Sequence, residues 1–327
     1  MNKSYKGVNI MNTLKLYYLN TNSNNNYFLK EQINKEALNK VIKTFYNDFL
    51  NLKNNFNNII FNKYNKVLFL IKYTFIDIIK DLKTNNDIIK LFNFSKNKKV
   101  KDAIISYNYM PYILCINALN NRCNLNKKCY SNKQELAYKI KDNKLYCYSL
   151  INTLKNYVFV YYSIYTNNIK CFLHYALKNN ASALKNKNII RFNNKADIKD
   201  NTILKYFNTM FLLLKRSYNI KYAYTYTKTL NLNYDLIDKN FIVNKSQGIK
   251  DIDALKHIIQ YDNKFNSYIT ITKKDFKQYK KQLIKLYKKG IINICNASLN
   301  NNLNNSCSNC LNSCYQYNNK ITVSILH

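Results

Sequence analysis

The sequence predicts an α+β chain, with a mainly helical part over residues 1–218 followed by a smaller α/β domain over residues 219–327. Three observations predict this. Apolar residues recur at helical spacing through the first two thirds. Tyr222, Tyr224 and Tyr226 alternate with Ala223, Thr225 and Thr227, the two-residue period of a half-buried strand. A lysine-rich helical pattern, a glycine and an isoleucine run then follow one another near the end of the chain.

After a ragged N-terminal strand, Leu38, Val41, Ile42, Phe45, Phe49, Leu52 and Phe56 share one helical face. Val67–Leu82 and Asp87–Phe94 read as two further helices with asparagines as connectors. The run YVFVYYSIY from Tyr157 reads as a buried strand, although an unbroken apolar run fits a buried helix as well. A strongly apolar helix is expected from Ile203, and the boundary between the two parts falls near Asn219.

Asn, Lys, Ile, Tyr, Leu and Phe dominate the composition, against Gly 3, Pro 1 and Trp 0. This contrast follows adenine- and thymine-rich codons, so part of the lysine excess is mutational drift. Drift does not explain the missing acids, whose codons are also AT-rich. Glutamate occurs only at Glu31, Glu36 and Glu135, and Lys+Arg 52 against Asp+Glu 17 leaves a formal charge of +35.

Self-repulsion on that scale opposes compaction unless a polyanion offsets it, and nucleic acid is the expected partner. The rival is an anionic membrane surface, which calls for an apolar anchor beside the basic cluster. The longest apolar run, from Val67, is broken by Lys72 and Asp77. It falls short of the roughly 20 clean residues of a span. No cleaved presequence pattern is read at the N-terminus.

Little points to catalysis. His174, His257 and His327 are scattered with no carboxylate at a telling spacing, and the glycines are too few for a phosphate-cradling loop. No enzyme activity and no small-molecule substrate are therefore expected. Cys307, Cys310 and Cys314 form C-x-x-C-x-x-x-C, with Cys295 a loop's length upstream. Those four thiols are a candidate metal set of the kind that zinc or an iron-sulfur cluster uses; the leading expectation is no cofactor, with zinc as the alternative. Cys115, Cys123 and Cys129 form a weaker second group, and reduced thiols are the alternative for all.

The basic segment is the most informative. Thr272 to Asp275 reads as a capping box. Phe276, Tyr279, Leu283 and Leu286 then share one face, and Lys274, Lys277, Lys281, Lys285 and Lys288 crowd the rest. A solvated helix face normally mixes signs, and a single-signed one suits a row of phosphates. With Lys273, Lys280 and Lys289 these lysines are the candidate RNA contacts, joined by Lys98, Lys99 and Lys101 of the run Ser95–Asp102. Gly290 stands where a C-terminal cap belongs, and Ile291, Ile292 and Ile294 give a short strand.

That order resembles the C-terminal domain of the small-subunit ribosomal protein three family, including its divergent mitochondrial members of the Var type. Lys289, Gly290, Ile291 and Leu299 match the family's K-G-I-x-I and following S-G-R-L in order and offset. Ala297 and Ser298 stand where Gly and Arg are usual, and no G-x-x-G loop is present. Asn319 onward, NKITVSIL, looks like the closing strand of the same domain.

The resemblance implies a structural constituent of a mitochondrial ribosome small subunit near the mRNA entrance. Its expected partners are rRNA, neighbouring ribosomal proteins and mRNA, in the mitochondrial matrix, in another AT-rich organelle or in the cytoplasm. Two alternatives stand beside it. One is a cysteine-organised, metal-binding nucleic-acid accessory protein, and the other is a basic subunit at the edge of an organellar membrane complex.

Overall fold

The computed structural model describes residues 33–54, 64–95, 103–111, 114–115, 139–141, 144–146, 148–193, 196–229, 231–248, 267–271, 273–295, 314 and 321–325. Helices are combined with a seven-stranded sheet in the order β1-β4-β5-β6-β7-β9-β8, every pairing of which is parallel. Its strands are β1 (Ile104–Tyr107), β4 (Ile189–Phe192), β5 (Tyr222–Thr227), β6 (Phe241–Gly248), β7 (Ser267–Ile271), β8 (Ile292–Ile294) and β9 (Ile321–Ile325). β2 (Lys139–Lys141) and β3 (Lys144–Tyr146) form a separate antiparallel hairpin.

The helices are α1 (Lys35–Asn54), α2 (Tyr64–Asn85), α3 (Tyr148–Tyr165), α4 (Ile169–Asn179), α5 (Ala181–Leu184), α6 (Asn201–Ser217) and α7 (Lys273–Lys288). The boundary expected near Asn219 falls between α6 and β5. The sheet continues across it, because Ile189 of β4 is level with Tyr222 of β5.

Register assigns the two faces of the sheet, since side chains alternate along each strand. Ile105, Tyr107, Ile190, Phe192, Ala223, Phe241 and Val243 share one face with Ile269, Val323 and Ile292. The larger core packs α1, α2, α3, α4 and α6 against the β1–β6 part of this face. A second core sets α7 on its β7–β9 part. The other face carries Ile104, Ile189, Tyr222, Tyr224, Tyr226 and Ile242, with Cys314 against them.

The run from Tyr157 is helical, correcting the strand reading. It forms the second half of α3, where Tyr157, Val158, Phe159 and Val160 are all 0% exposed. A helix apolar on every side belongs in the middle of a core, and there its β-branched and aromatic residues are decided by packing and not by propensity. Phe45 of α1 meets Tyr157 edge-on at 6.1 Å and stacks on Phe75 of α2 at 3.6 Å, so α3 is walled in by both helices.

The helix expected over Asp87–Phe94 is also corrected. Only one tight turn forms, Ile88–Leu91, and Phe92 leaves it in extended conformation. Ile88, Ile89, Leu91 and Phe92 are all buried at a spacing that a helix face would also allow, but the backbone beyond the turn is held by Asn156, whose side chain bonds both the Asn93 N–H and the Asn93 carbonyl.

Chain reversals use asparagine where other proteins use glycine. Asn86, Asn167, Asn186, Asn193 and Asn231 all have φ between 50° and 62°. Asparagine tolerates this left-handed region better than other non-glycine residues. Asn86 directly follows α2, and its N–H donates to the Leu82 carbonyl at 2.9 Å.

Candidate nucleic-acid interface

α7 connects two parallel strands and so runs back against the strand direction. Its apolar arc is pinned to the sheet, with Leu283 buried at 1% exposure and Phe276, Tyr279 and Leu286 packed around it. Asp275 lies in the first turn, whereas Thr272, the expected cap, lies outside the described residues. At the other end Gly290 has φ +71°. The Gly290 N–H donates to the Tyr287 carbonyl at 2.9 Å and the Ile291 N–H to the Leu286 carbonyl at 3.1 Å. This pair of bonds is the Schellman closure, which needs a left-handed residue at the glycine position. β8 then begins at Ile292, as the sequence predicts.

Opposite the apolar arc stands the lysine row. At about 100° per residue, Lys274, Lys277, Lys281, Lys285 and Lys288 fall within an arc of about 80°, and they span about 21 Å of the helix axis. All five are exposed, as are Lys280 and Lys289. Gln278 and Gln282, also exposed, border the row on one side. The ion pairs among the described residues lie elsewhere, at Glu36–Lys40, Asp87–Lys90, Asp48–Lys199 and Asp238–Lys215. Every expected contact on this helix whose side chain is described is therefore gathered on one rigid, outward-facing rod. The side chain of Lys273 and all of Lys98, Lys99 and Lys101 lie outside the described residues.

The tyrosines of β5 pack with one another. Tyr224 and Tyr226 meet edge-on at 5.8 Å, Tyr226 and Tyr268 lie 4.5 Å apart, and the Arg191 guanidinium sits 5.2 Å from the Tyr226 ring. Burial first, and then the neighbouring Cys314, holds the Tyr226 hydroxyl well above its ordinary pKa.

Cys295 and Cys314 come toward the same part of this face. The Cys295 N–H donates to the Val323 carbonyl at 2.8 Å, and the Cys314 carbonyl accepts from Asn244 Nδ2 at 2.9 Å. After burial itself, these two cysteines are what raise the Tyr268 hydroxyl. Cys307 and Cys310, the other two of the candidate metal set, lie outside the described residues, as do Cys123 and Cys129. Among the described residues no three His, Cys, Asp or Glu side chains form a group able to hold a metal ion. His174 is exposed on α4 beside Tyr175, at 5.5 Å between rings.

Sequence reasoning missed a polar cluster at the C-terminal edge of the sheet. Lys199 Nζ lies 2.7 Å from Asp48 Oδ1, and the Tyr157 hydroxyl donates to Asp48 Oδ2 at 2.7 Å. Lys199 and Asp48 stand 151 residues apart, and no local pattern signals the pair. The cluster ties α1 and α3 to the loop that enters α6. Among the described residues, no helix is long and apolar enough to cross a membrane. Comparison with family models, with curated proteins and with solved structures finds no match to this chain.

Proposed function

We propose that this protein binds RNA through the lysine row of α7 and serves as a structural constituent of the small subunit of an organellar, AT-rich-encoded ribosome, without enzymatic activity. The observation that carries the reading is the single-signed row of five exposed lysines along a helix whose opposite arc is locked into the core. The formal charge of +35 supports it, because a folded chain of that charge is best accommodated by a polyanion. The ribosomal part of the proposal rests on the resemblance of the order Lys289, Gly290, Ile291 to the ribosomal protein three family.

The test is crosslinking of the protein to RNA in its native cell, followed by sequencing of the attached RNA. Recovery of small-subunit rRNA supports the reading. Recovery of no rRNA, or sedimentation with membranes instead of ribosomes, removes it.

A second reading rests on Cys295 and Cys314, which both approach Tyr268. In it, these two with Cys307 and Cys310 hold a zinc ion that orders a nucleic-acid accessory protein. Stoichiometric zinc in the purified protein, with loss of structure on chelation, favours this reading over the first.

A further inference from the structure

A cleft of about 300 Å³ opens where α6 ends and where β5 and β6 begin, lined by Lys215, Asn219, Ile220, Lys221, Tyr222 and Asn240. Its chemistry is mixed in a particular way. Ile220 gives a buried apolar floor, and Tyr222 a half-buried ring that stands on the sheet face away from α7, packed beside Ile104, Ile189 and Tyr224. Asn219 and Asn240 bring two side-chain amides, each both donor and acceptor. Lys215 is engaged by Asp238 at 3.0 Å, whereas Lys221 is exposed and makes no ion pair among the described residues. A ring to stack on, amides to meet a base edge and a cation for a phosphate are together the requirements of one unpaired nucleotide. A duplex offers neither a free base face nor a free pairing edge.

Placement in the fold supports this occupant. The cleft lies at the N-terminal edge of the sheet, where Ala223 of β5 is level with Phe241 of β6. α7 runs back toward that same edge on the helix-covered face. Its 16 residues extend about 24 Å against about 16 Å for the five residues of β7. The helix therefore overhangs the start of β7 and carries Lys285, Lys288 and Lys289 toward the level of the cleft. From the end of α7 a single RNA strand would have about 8 Å more to cover along the strand direction, and about 10 Å across the strands, to reach the level of Asn240.

We propose that this cleft binds an unpaired nucleotide of the same RNA whose phosphates lie on α7, so that the protein prefers single-stranded or looped RNA to duplex. The inference rests on the RNA-binding reading given above. It assigns base contact to Tyr222, Asn219 and Asn240 and a phosphate contact to Lys221.

The test measures anisotropy of a labelled mixed-sequence single-stranded RNA and of a matched RNA duplex, with the full chain. The double substitution Asn219→Ala with Asn240→Ala is expected to weaken single-strand binding about tenfold and to leave duplex binding and the salt dependence unchanged. Lys221→Gln is expected to weaken binding of the single strand while lowering its salt dependence by about one phosphate. Photocrosslinking of a thiouridine-bearing strand to the unaltered protein is expected to label the peptide holding Tyr222, which keeps the proposal testable if a variant fails to fold.

Equal loss on strand and duplex, no loss on either, or crosslinks confined to α7 overturns the cleft assignment alone. Absence of binding by the unaltered protein overturns both this inference and the RNA-binding reading.

Discussion

Asn93 and Asn156 hold each other in both directions: the Asn93 N–H donates to Asn156 Oδ1 at 2.7 Å, and Asn156 Nδ2 donates to the Asn93 carbonyl at 2.8 Å. The same Asn156 amide group also donates to the Asn108 carbonyl at 2.7 Å. One side chain of α3, 1% exposed, thus takes the part of a strand for two irregular segments that would otherwise bury unpaired backbone. Asn156→Leu is expected to destabilise the fold by on the order of 3 kcal/mol, since it strips partners from several backbone groups at once. Asn156→Asp keeps the acceptor and loses the donor, and it is expected to be destabilising as well. Urea unfolding of the two variants checks both outcomes.

The lysine row is expected to work against stability while it works for binding. Lys277, Lys281 and Lys285 succeed one another at i,i+4, with Lys274 and Lys288 at i±3 from the ends, and like charges so spaced repel. Replacing all five by glutamine is expected to lower the salt slope of RNA binding by about 3.5 for single strands and about 4.5 for duplex. Thermal stability at low salt is expected to rise or stay level. A variant that lost RNA binding because it had unfolded would fail the second measurement.

Gly290 isolates a backbone effect. A methyl group added there would meet nothing within 4 Å, yet φ is +71°. Gly290→Ala is therefore expected to cost about 1 kcal/mol from conformation alone. Gly290→Asn is expected to cost less, as asparagine already serves in five left-handed positions among the described residues. Denaturant midpoints with unchanged slope would confirm that the effect is local.

Tyr107, Tyr109, Tyr157, Tyr161 and Tyr206 are buried, and burial above all else raises each hydroxyl above its ordinary pKa. In the unfolded chain these phenols ionise near pH 10, while in the folded chain they stay neutral. Their contribution to stability is complete below about pH 10 and is lost as pH rises beyond it. Each adds a slope of about 1.4 kcal/mol per pH unit, about 7 for the five together. Tyrosinate absorbance from these residues is expected to appear in one step, coincident with loss of helical circular dichroism. Gradual ionisation ahead of unfolding would show that the hydroxyls are reached by water in the folded state.

The candidate interface was legible in the sequence because every element of it is local. A lysine row, an apolar arc and a glycine stop within one helix depend on a period of 3.6 residues and on the φ of one residue. The cleft was not legible, since Lys215 with Asn219 to Tyr222 meets Asn240 only where β5 and β6 pair in parallel. Cys295 and Cys314 show the same limit. Their spacing in the sequence says nothing of Tyr268, which the β7–β9 register brings to the face they share.

The sequence by itself determined α1, α2, α6, α7 and the alternation of β5, because amphipathic periodicity survives without any knowledge of the partner surface. It also determined the charge, and with it the class of partner proposed. Only the tertiary structure decided that YVFVYYSIY is a helix, since a run apolar on all sides carries no period and its conformation follows from being enclosed by Phe45, Phe92 and Phe172. Only the tertiary structure decided that the strands on both sides of residue 219 share one parallel sheet, because strand order is a matter of contacts far apart in the chain, which local residue preference does not encode.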